Sequence, residues 1–89
     1  MKETLLIFGG KSTAIEIREV VITYYVNIYK KVLLVRPDNE MVNDEFDYIT
    51  TKDLSEFISI NKCKYIVGFT NHNGRINTQQ EMLRLKVQP

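Results

Sequence analysis

The stretch LLIFGGKST, residues 5–13, decides the fold of this 89-residue chain. Four apolar residues in a row are typical of a buried parallel strand, and the glycine pair that follows ends the strand. Ser12 and Thr13 are good first residues for a helix, and Thr13 with Glu16 has the spacing of a capping box. A strand that turns through glycine into a helix offers free backbone N–H groups to an anion. The stretch therefore predicts the opening of a nucleotide-binding α/β fold.

The rest of the chain alternates strand and helix patterns. We predict the first helix from Thr13 to Asn27. Further strands are expected at Val32–Val35, Phe46–Ile49 and Tyr65–Phe69. Further helices are expected from Thr50 or Thr51 to Asn61 and at Arg75–Leu85. A loop is expected at Asp38–Glu45 and a turn at Thr70–Gly74. This order predicts a small Rossmann-like, three-layer α/β domain with a parallel sheet and helices on both faces. The five tyrosines are expected to pack in the core or at the sheet edge.

Composition excludes several classes of protein. Twelve basic and eleven acidic residues are well mixed and leave a net charge of +1, which argues against a nucleic-acid surface and a polybasic membrane anchor. The single cysteine, Cys63, excludes an internal disulfide, and we expect it buried on a strand. No apolar run approaches the ~20 residues of a membrane span, and no signal peptide precedes the first strand. We expect one cytoplasmic domain, residues 1–89, with no nucleic-acid or membrane partner.

Ligands of such a sheet bind outside the carboxyl ends of its strands. Three segments meet there: Gly9–Thr13, Arg36–Glu40 and Thr70–Arg75. Lys11 either meets a phosphate or is a solvated loop lysine. Arg36 either binds a phosphate or a base, or is an exposed arginine at a strand end. The candidate substrate-binding residues are Gly9, Gly10, Lys11, Ser12, Thr13, Arg36, Asp38, Thr70, Asn71, His72 and Arg75.

Better-defined nucleotide motifs are incomplete here. A Walker A motif needs glycine at the position of Leu5, and the dinucleotide fingerprint needs glycine at the position of Lys11. Ala14 falls where that fingerprint needs a small residue, and it allows close packing of helix on strand. His72 is the only histidine and has no neighbour in sequence that would make it a catalytic base or a metal ligand. We therefore predict no catalytic residue and no metal site.

The first turn and the last strand resemble the N-terminal domain of bacterial sugar acyltransferases of the PglD and NeuD type. That domain opens with an apolar strand and a loop like G-A-S-G-H-A/G, which corresponds here to residues 6–14. Its last strand ends like A-I-G-N-N-x-x-R, so that Asn71 and Arg75 fall on matching positions. The chain departs from the pattern at Ser12 and Thr13, at Thr70, and after the second strand, where Arg36-Pro37 replaces an acidic pair.

This resemblance implies a Rossmann-like domain that holds a UDP-sugar for polysaccharide biosynthesis. In the family, acetyl transfer from acetyl-coenzyme A occurs on a following left-handed β-helix, which carries the catalytic histidine and forms homotrimers. The chain would then be the N-terminal part of a longer acetyltransferase, with no cofactor of its own and no activity alone. Two alternatives remain open at this point: a ligand-free regulatory or interaction domain, and a small NAD- or coenzyme A-binding domain.

Overall fold

The computed structural model describes residues 2–9, 12–25, 27–37, 46–68 and 72–87. Within them the elements follow the order β1 (Glu3–Phe8), α1 (Ser12–Tyr24), β2 (Tyr29–Arg36), β3 (Tyr48–Thr50), α2 (Thr51–Ile60), β4 (Cys63–Val67) and α3 (His72–Arg84). The strands form one parallel sheet in the order β3-β2-β1-β4. The predicted small Rossmann-like α/β fold is confirmed.

Helices cover both faces of the sheet, because successive side chains of a strand point to opposite faces. Leu5, Ile7 and Leu34 pack on one face against Ala14 and Val21 of α1. The other face carries Leu6, Phe8, Leu33 and Val35, which pack against Leu54 of α2 and Met82 of α3. The apolar runs of β1 and β2 are therefore continuous rather than alternating, because each strand is buried on both sides.

The first residues of α1 and α3 differ from the prediction. α1 begins at Ser12, so Thr13 is its second residue and the capping box of Thr13 with Glu16 is wrong. α3 begins at His72, so the expected turn through Gly74 is wrong for residues 72–74. Asn and Gly are weak helix formers, but they cost little in a first turn, where the N–H groups need no partner inside the helix.

α1 also ends three residues earlier than predicted, at Tyr24. The reason is the register of the next strand, since Tyr29 already pairs with Glu3 of β1. The chain needs the intervening residues to turn, and the N–H of Ile28 donates to the carbonyl of Tyr25 there. The predicted loop at Asp38–Glu45 lies outside the described residues.

The ends of α2 follow the prediction more closely. Thr50 occupies the N-cap position, but its hydroxyl lies 3.3 Å from a carboxylate oxygen of Asp53 and makes no cap hydrogen bond to the backbone. Asn61 ends the helix, and both its backbone N–H and its side-chain amide donate to the carbonyl of Phe57, at 2.9 and 3.1 Å. The side chain of Asn61 thus gives the last helical carbonyl acceptor a second donor.

Buried and exposed side chains divide partly as predicted. Cys63 is buried and free, and burial raises the pKa of its thiol, with the Glu3 carboxylate adding to the shift. Tyr65 is buried against Phe8 in an edge-to-face contact at 6.1 Å between ring centroids. The packing prediction is wrong for Tyr24 and Tyr25, which are exposed where α1 ends. Tyr48 lies on the edge strand β3, as the prediction of sheet-edge packing allows, although it is partly exposed.

No helix among the described residues is long and apolar enough to cross a membrane.

Candidate functional site

Three helices begin at the carboxyl edge of the sheet. Each follows a parallel strand, so Ser12 of α1, Thr51 of α2 and His72 of α3 start at the same side of the molecule. The first turn of a helix carries backbone N–H groups without partners inside the helix, and the peptide dipoles add a partial positive charge. The carboxyl edge is therefore suited to an anionic ligand.

A close contact between β1, β4 and α1 fixes the start of α1 over the sheet. Gly68 donates its N–H to the carbonyl of Phe8 at 2.7 Å, and Gly9, at φ +124°, donates to the carbonyl of Val35 at 3.3 Å. A Cβ at Gly68 would lie 2.7 Å from the Phe8 oxygen and 3.0 Å from Cα of Ala14. One at Gly9 would lie 3.1 Å from Cβ of Ala14. The helix reaches this position because none of the three residues carries more than a methyl group.

The role predicted for Ala14 in close helix–strand packing is confirmed, since it is almost fully buried in this contact. Gly68 was not among the candidate site residues. The sequence signal for this contact is a glycine directly after an apolar strand, because glycine in such a place often marks a close approach of two backbones.

A cleft of about 330 Å³ opens at the same edge, between α2 and α3. Its floor is formed by the ends of β1 and β2, at Phe8, Val35 and Arg36. Its walls carry hydroxyl, amide and carboxylate groups from two helices: Thr51 and Ser55 from α2, and Asn77, Thr78 and Glu81 from α3. A lining that combines apolar side chains with a few polar and charged groups is typical of a site for a small organic molecule.

The charge of the cleft wall is negative at Glu81. Its carboxylate accepts hydrogen bonds from the Arg84 guanidinium, which lower the pKa of the Glu81 carboxyl. Glu81 is therefore ionised at neutral pH and acts as an acceptor only. The carboxylate, which is paired with Arg84, can still accept hydrogen bonds from hydroxyl or amide donors in the cleft.

Arg36 is buried, with only 2% of its surface exposed. The exposed strand-end position considered for it is therefore wrong. Its guanidinium carbon lies 5.2 Å from the centroid of the Tyr48 ring on the neighbouring strand β3, a cation–π contact. The Tyr48 ring and the sheet pack along the long side chain of Arg36. Hydropathy alone would instead predict an arginine that is exposed to solvent.

The structure places three of the other predicted site residues. Gly9 forms the turn after β1, and Arg75 is exposed in the first turns of α3. Thr13 does not reach the cleft: it lines an apolar groove between α1 and β4, together with Val20, Tyr25 and Ile66. The structure describes Ser12 and His72 as the first residues of α1 and α3. The remaining candidates lie outside the described residues: Gly10, Lys11, Asp38, Thr70 and Asn71.

The described residues contain no group of three or more His, Cys, Asp or Glu side chains that could hold a metal ion. Among the described residues, the carboxyl edge offers hydrogen-bonding side chains from α2 and α3 and the first turns of three helices.

Comparison of the chain with protein-family profiles, with curated protein sequences and with solved structures gave no significant match.

Proposed function

We propose that this domain binds a nucleotide-sugar, most simply a UDP-sugar, at the carboxyl edge of its sheet. The observation that carries the proposal is the contact of Gly9, Gly68 and Ala14, which seats the first turn of α1 directly over the strand ends. A helix start held this close to a sheet is how dinucleotide and nucleotide-sugar folds receive a diphosphate. The polar cleft between α2 and α3 lies beside it and offers partners for hydroxyl groups.

The two halves of the ligand suit two parts of this edge. Backbone N–H groups at Gly10–Thr13 receive the diphosphate, with Lys11 as a point charge. The sugar enters the cleft, where Ser55, Asn77 and the Glu81 carboxylate meet its hydroxyls. Arg36 or Asp38 flanks the nucleoside, and the remaining candidates, Asn71, His72 and Arg75, line the far side.

In this proposal the domain orients a substrate and makes no bond itself. Its resemblance to the PglD and NeuD type supports a role as the N-terminal part of a bacterial sugar acetyltransferase. Acetyl-coenzyme A would then be used by a separate C-terminal domain, and trimers would form through that domain.

A thermal-shift panel with a pair of variants tests the proposal. UDP, UDP-N-acetylglucosamine, CMP-sialic acid, NAD and coenzyme A are compared. A ligand at 100 times its Kd adds about 2.7 kcal/mol to the free energy of unfolding, which is a shift of several degrees in Tm for a domain of this size. We expect a shift with the UDP compounds. In the double variant Ser55→Ala/Asn77→Ala, UDP-N-acetylglucosamine should bind about tenfold or more weakly, since two hydrogen bonds are lost, whereas UDP should bind as before.

Ser59→Ala is the matched control, because Ser59 lies one turn further along α2 and its hydroxyl only donates to the Glu56 carbonyl. A shift with NAD or coenzyme A alone would replace the proposal with the dinucleotide alternative. The absence of any shift would favour the ligand-free interaction domain.

A further inference from the structure

The fold separates charges that are mixed along the sequence. Six of the eight lysines lie at the amino end of the sheet, opposite the edge just described. Lys2 precedes β1, the pair Lys30 and Lys31 opens β2, and β4 is entered through Lys62 and Lys64. Glu3 is the sole acidic residue in these three strands. A net charge of +1 therefore conceals a strongly basic end.

The sixth lysine, Lys86, follows the C-terminal end of α3. It lines a cavity of about 500 Å³ together with Lys62, Lys64 and Asn61. Glu3 is the one carboxylate in the lining of this cavity. Within the described part of the chain none of the six lysines makes an ion pair. Their charges are thus available to a partner.

Exposed aromatic residues border this basic end. α1 runs back from the carboxyl edge, so its last residue, Tyr24, lies near the start of β2. Tyr24 is 76% exposed and Tyr25 is 48% exposed. β2 and β4 are separated by β1 alone, which is a distance of about 10 Å. The tyrosines lie on the side of the sheet that α1 covers, and the cavity opens on the side that α2 and α3 cover. A ligand that contacts both crosses the amino ends of the strands, where Lys2, Lys30 and Lys31 lie.

We propose that this surface, the amino-end basic surface (Lys2, Lys30, Lys31, Lys62, Lys64, Lys86 with Tyr24 and Tyr25), binds single-stranded nucleic acid without sequence preference. Lysines supply point charges for phosphates, and exposed aromatic rings stack on bases of any kind. A concave cavity accepts a flexible strand, whereas a lipid bilayer presents a flat surface. An acidic peptide would use the lysines but would leave the tyrosine rings unused. The balanced net charge led us to expect no nucleic-acid surface. The proposal differs because the fold brings six lysines to one end of the sheet.

Fluorescence anisotropy with a labelled oligothymidylate of about 12 nucleotides tests the proposal. We expect binding at about 50 mM salt, and a plot of log K against log salt with a slope of about −0.7 per lysine–phosphate contact. Three to six contacts then give a slope of roughly −2 to −4. No binding at low salt would overturn the proposal.

Two variants test which surface is used. Lys62→Glu should make the salt slope shallower by at least about 0.7, since one contact is lost. Lys52→Glu is the matched control: it changes the net charge equally, but Lys52 lies in the first turn of α2 at the opposite edge. It should leave the slope unchanged. Tyr24→Leu should weaken binding by about fivefold or more if the ring stacks on a base.

Two competing partners are included in the same assay. Polyglutamate that displaces the oligonucleotide at equal charge concentration would overturn the proposal, because the surface would then respond to charge alone. Binding to phosphatidylserine vesicles in place of the oligonucleotide would overturn it in favour of a membrane. Equal effects of Lys62→Glu and Lys52→Glu would also contradict it.

Discussion

Gly68→Ala is expected to lower the free energy of unfolding by about 3 kcal/mol, as overpacking of a close-packed site does. The added methyl group would lie 2.7 Å from the carbonyl oxygen of Phe8 and 3.0 Å from both Cα and Cβ of Ala14. These are mainly backbone atoms, and β1 is held on both sides by β2 and β4. Relief therefore requires that Gly68 shift from the end of β1 and that α1 move away from the sheet, which also displaces the first turn of α1 from the proposed ligand.

Urea unfolding followed by circular dichroism measures the change in the free energy of unfolding. In thermal unfolding, Tm should fall by roughly 4–8 °C per kcal/mol in a domain of this size. Gly74→Ala is the control, since Gly74 lies in the first turn of α3, where alanine is the better helix former. It should leave the stability unchanged or raise it slightly. Equal stability of Gly68→Ala and the natural sequence would show that α1 does not approach the sheet as closely as described.

Met82→Ala is expected to cost about 3 kcal/mol, within the range measured for loss of large buried side chains. Met82 has no exposed surface and packs between α3 and the face of the sheet that carries Leu6 and Phe8. Its removal leaves a void under the helix that forms one wall of the cleft. Binding at the cleft should weaken together with stability.

The adjacent residue gives the control for this prediction. Leu83 is 78% exposed, so Leu83→Ala should change the free energy of unfolding by less than about 0.5 kcal/mol. The two variants are compared by chemical unfolding under identical conditions. Similar losses from both would mean that α3 packs on the sheet through a different face.

The central strands could be predicted from the sequence because both of their faces are buried. Runs such as Leu5–Phe8 and Val32–Val35 then carry the signal without any knowledge of their neighbours. The glycine turn likewise predicted where α1 begins to within one residue. Local sequence was sufficient to predict these elements because tertiary contacts favour the same local structure there.

Tertiary placement explains what the sequence did not reveal. The walls of the cleft come from residues 51–55 and 77–81, and no local pattern links two segments so far apart. Arg36 is buried and lies against a tyrosine of the neighbouring strand, a placement that the hydropathy of arginine does not predict. The six lysines of the amino-end basic surface are scattered along the chain, and the parallel topology brings them to one end.

The two proposed surfaces open at opposite ends of the same strands, and Leu85 is common to the lining of the cleft and of the amino-end cavity. A ligand at the carboxyl edge meets helix N-termini and the cleft, whereas the amino end presents lysine side chains. Loss of one binding activity with retention of the other is therefore the expected behaviour of variants at either end. A change in the contact of Gly68 with Ala14 should instead disturb the fold as a whole.

Chemical-shift mapping with UDP-N-acetylglucosamine tests the central claim most directly. In a spectrum of the 15N-labelled domain, we predict that the backbone amide signals of Gly9, Thr13 and Gly68 move on addition of the nucleotide-sugar. Those of Ser55 and Asn77 should move with the sugar but not with UDP alone. Signals at the amino end, such as those of Lys31 and Lys62, should stay in place. Unchanged signals at the carboxyl edge at saturating ligand, or changes confined to the amino end, would contradict nucleotide-sugar binding at this site.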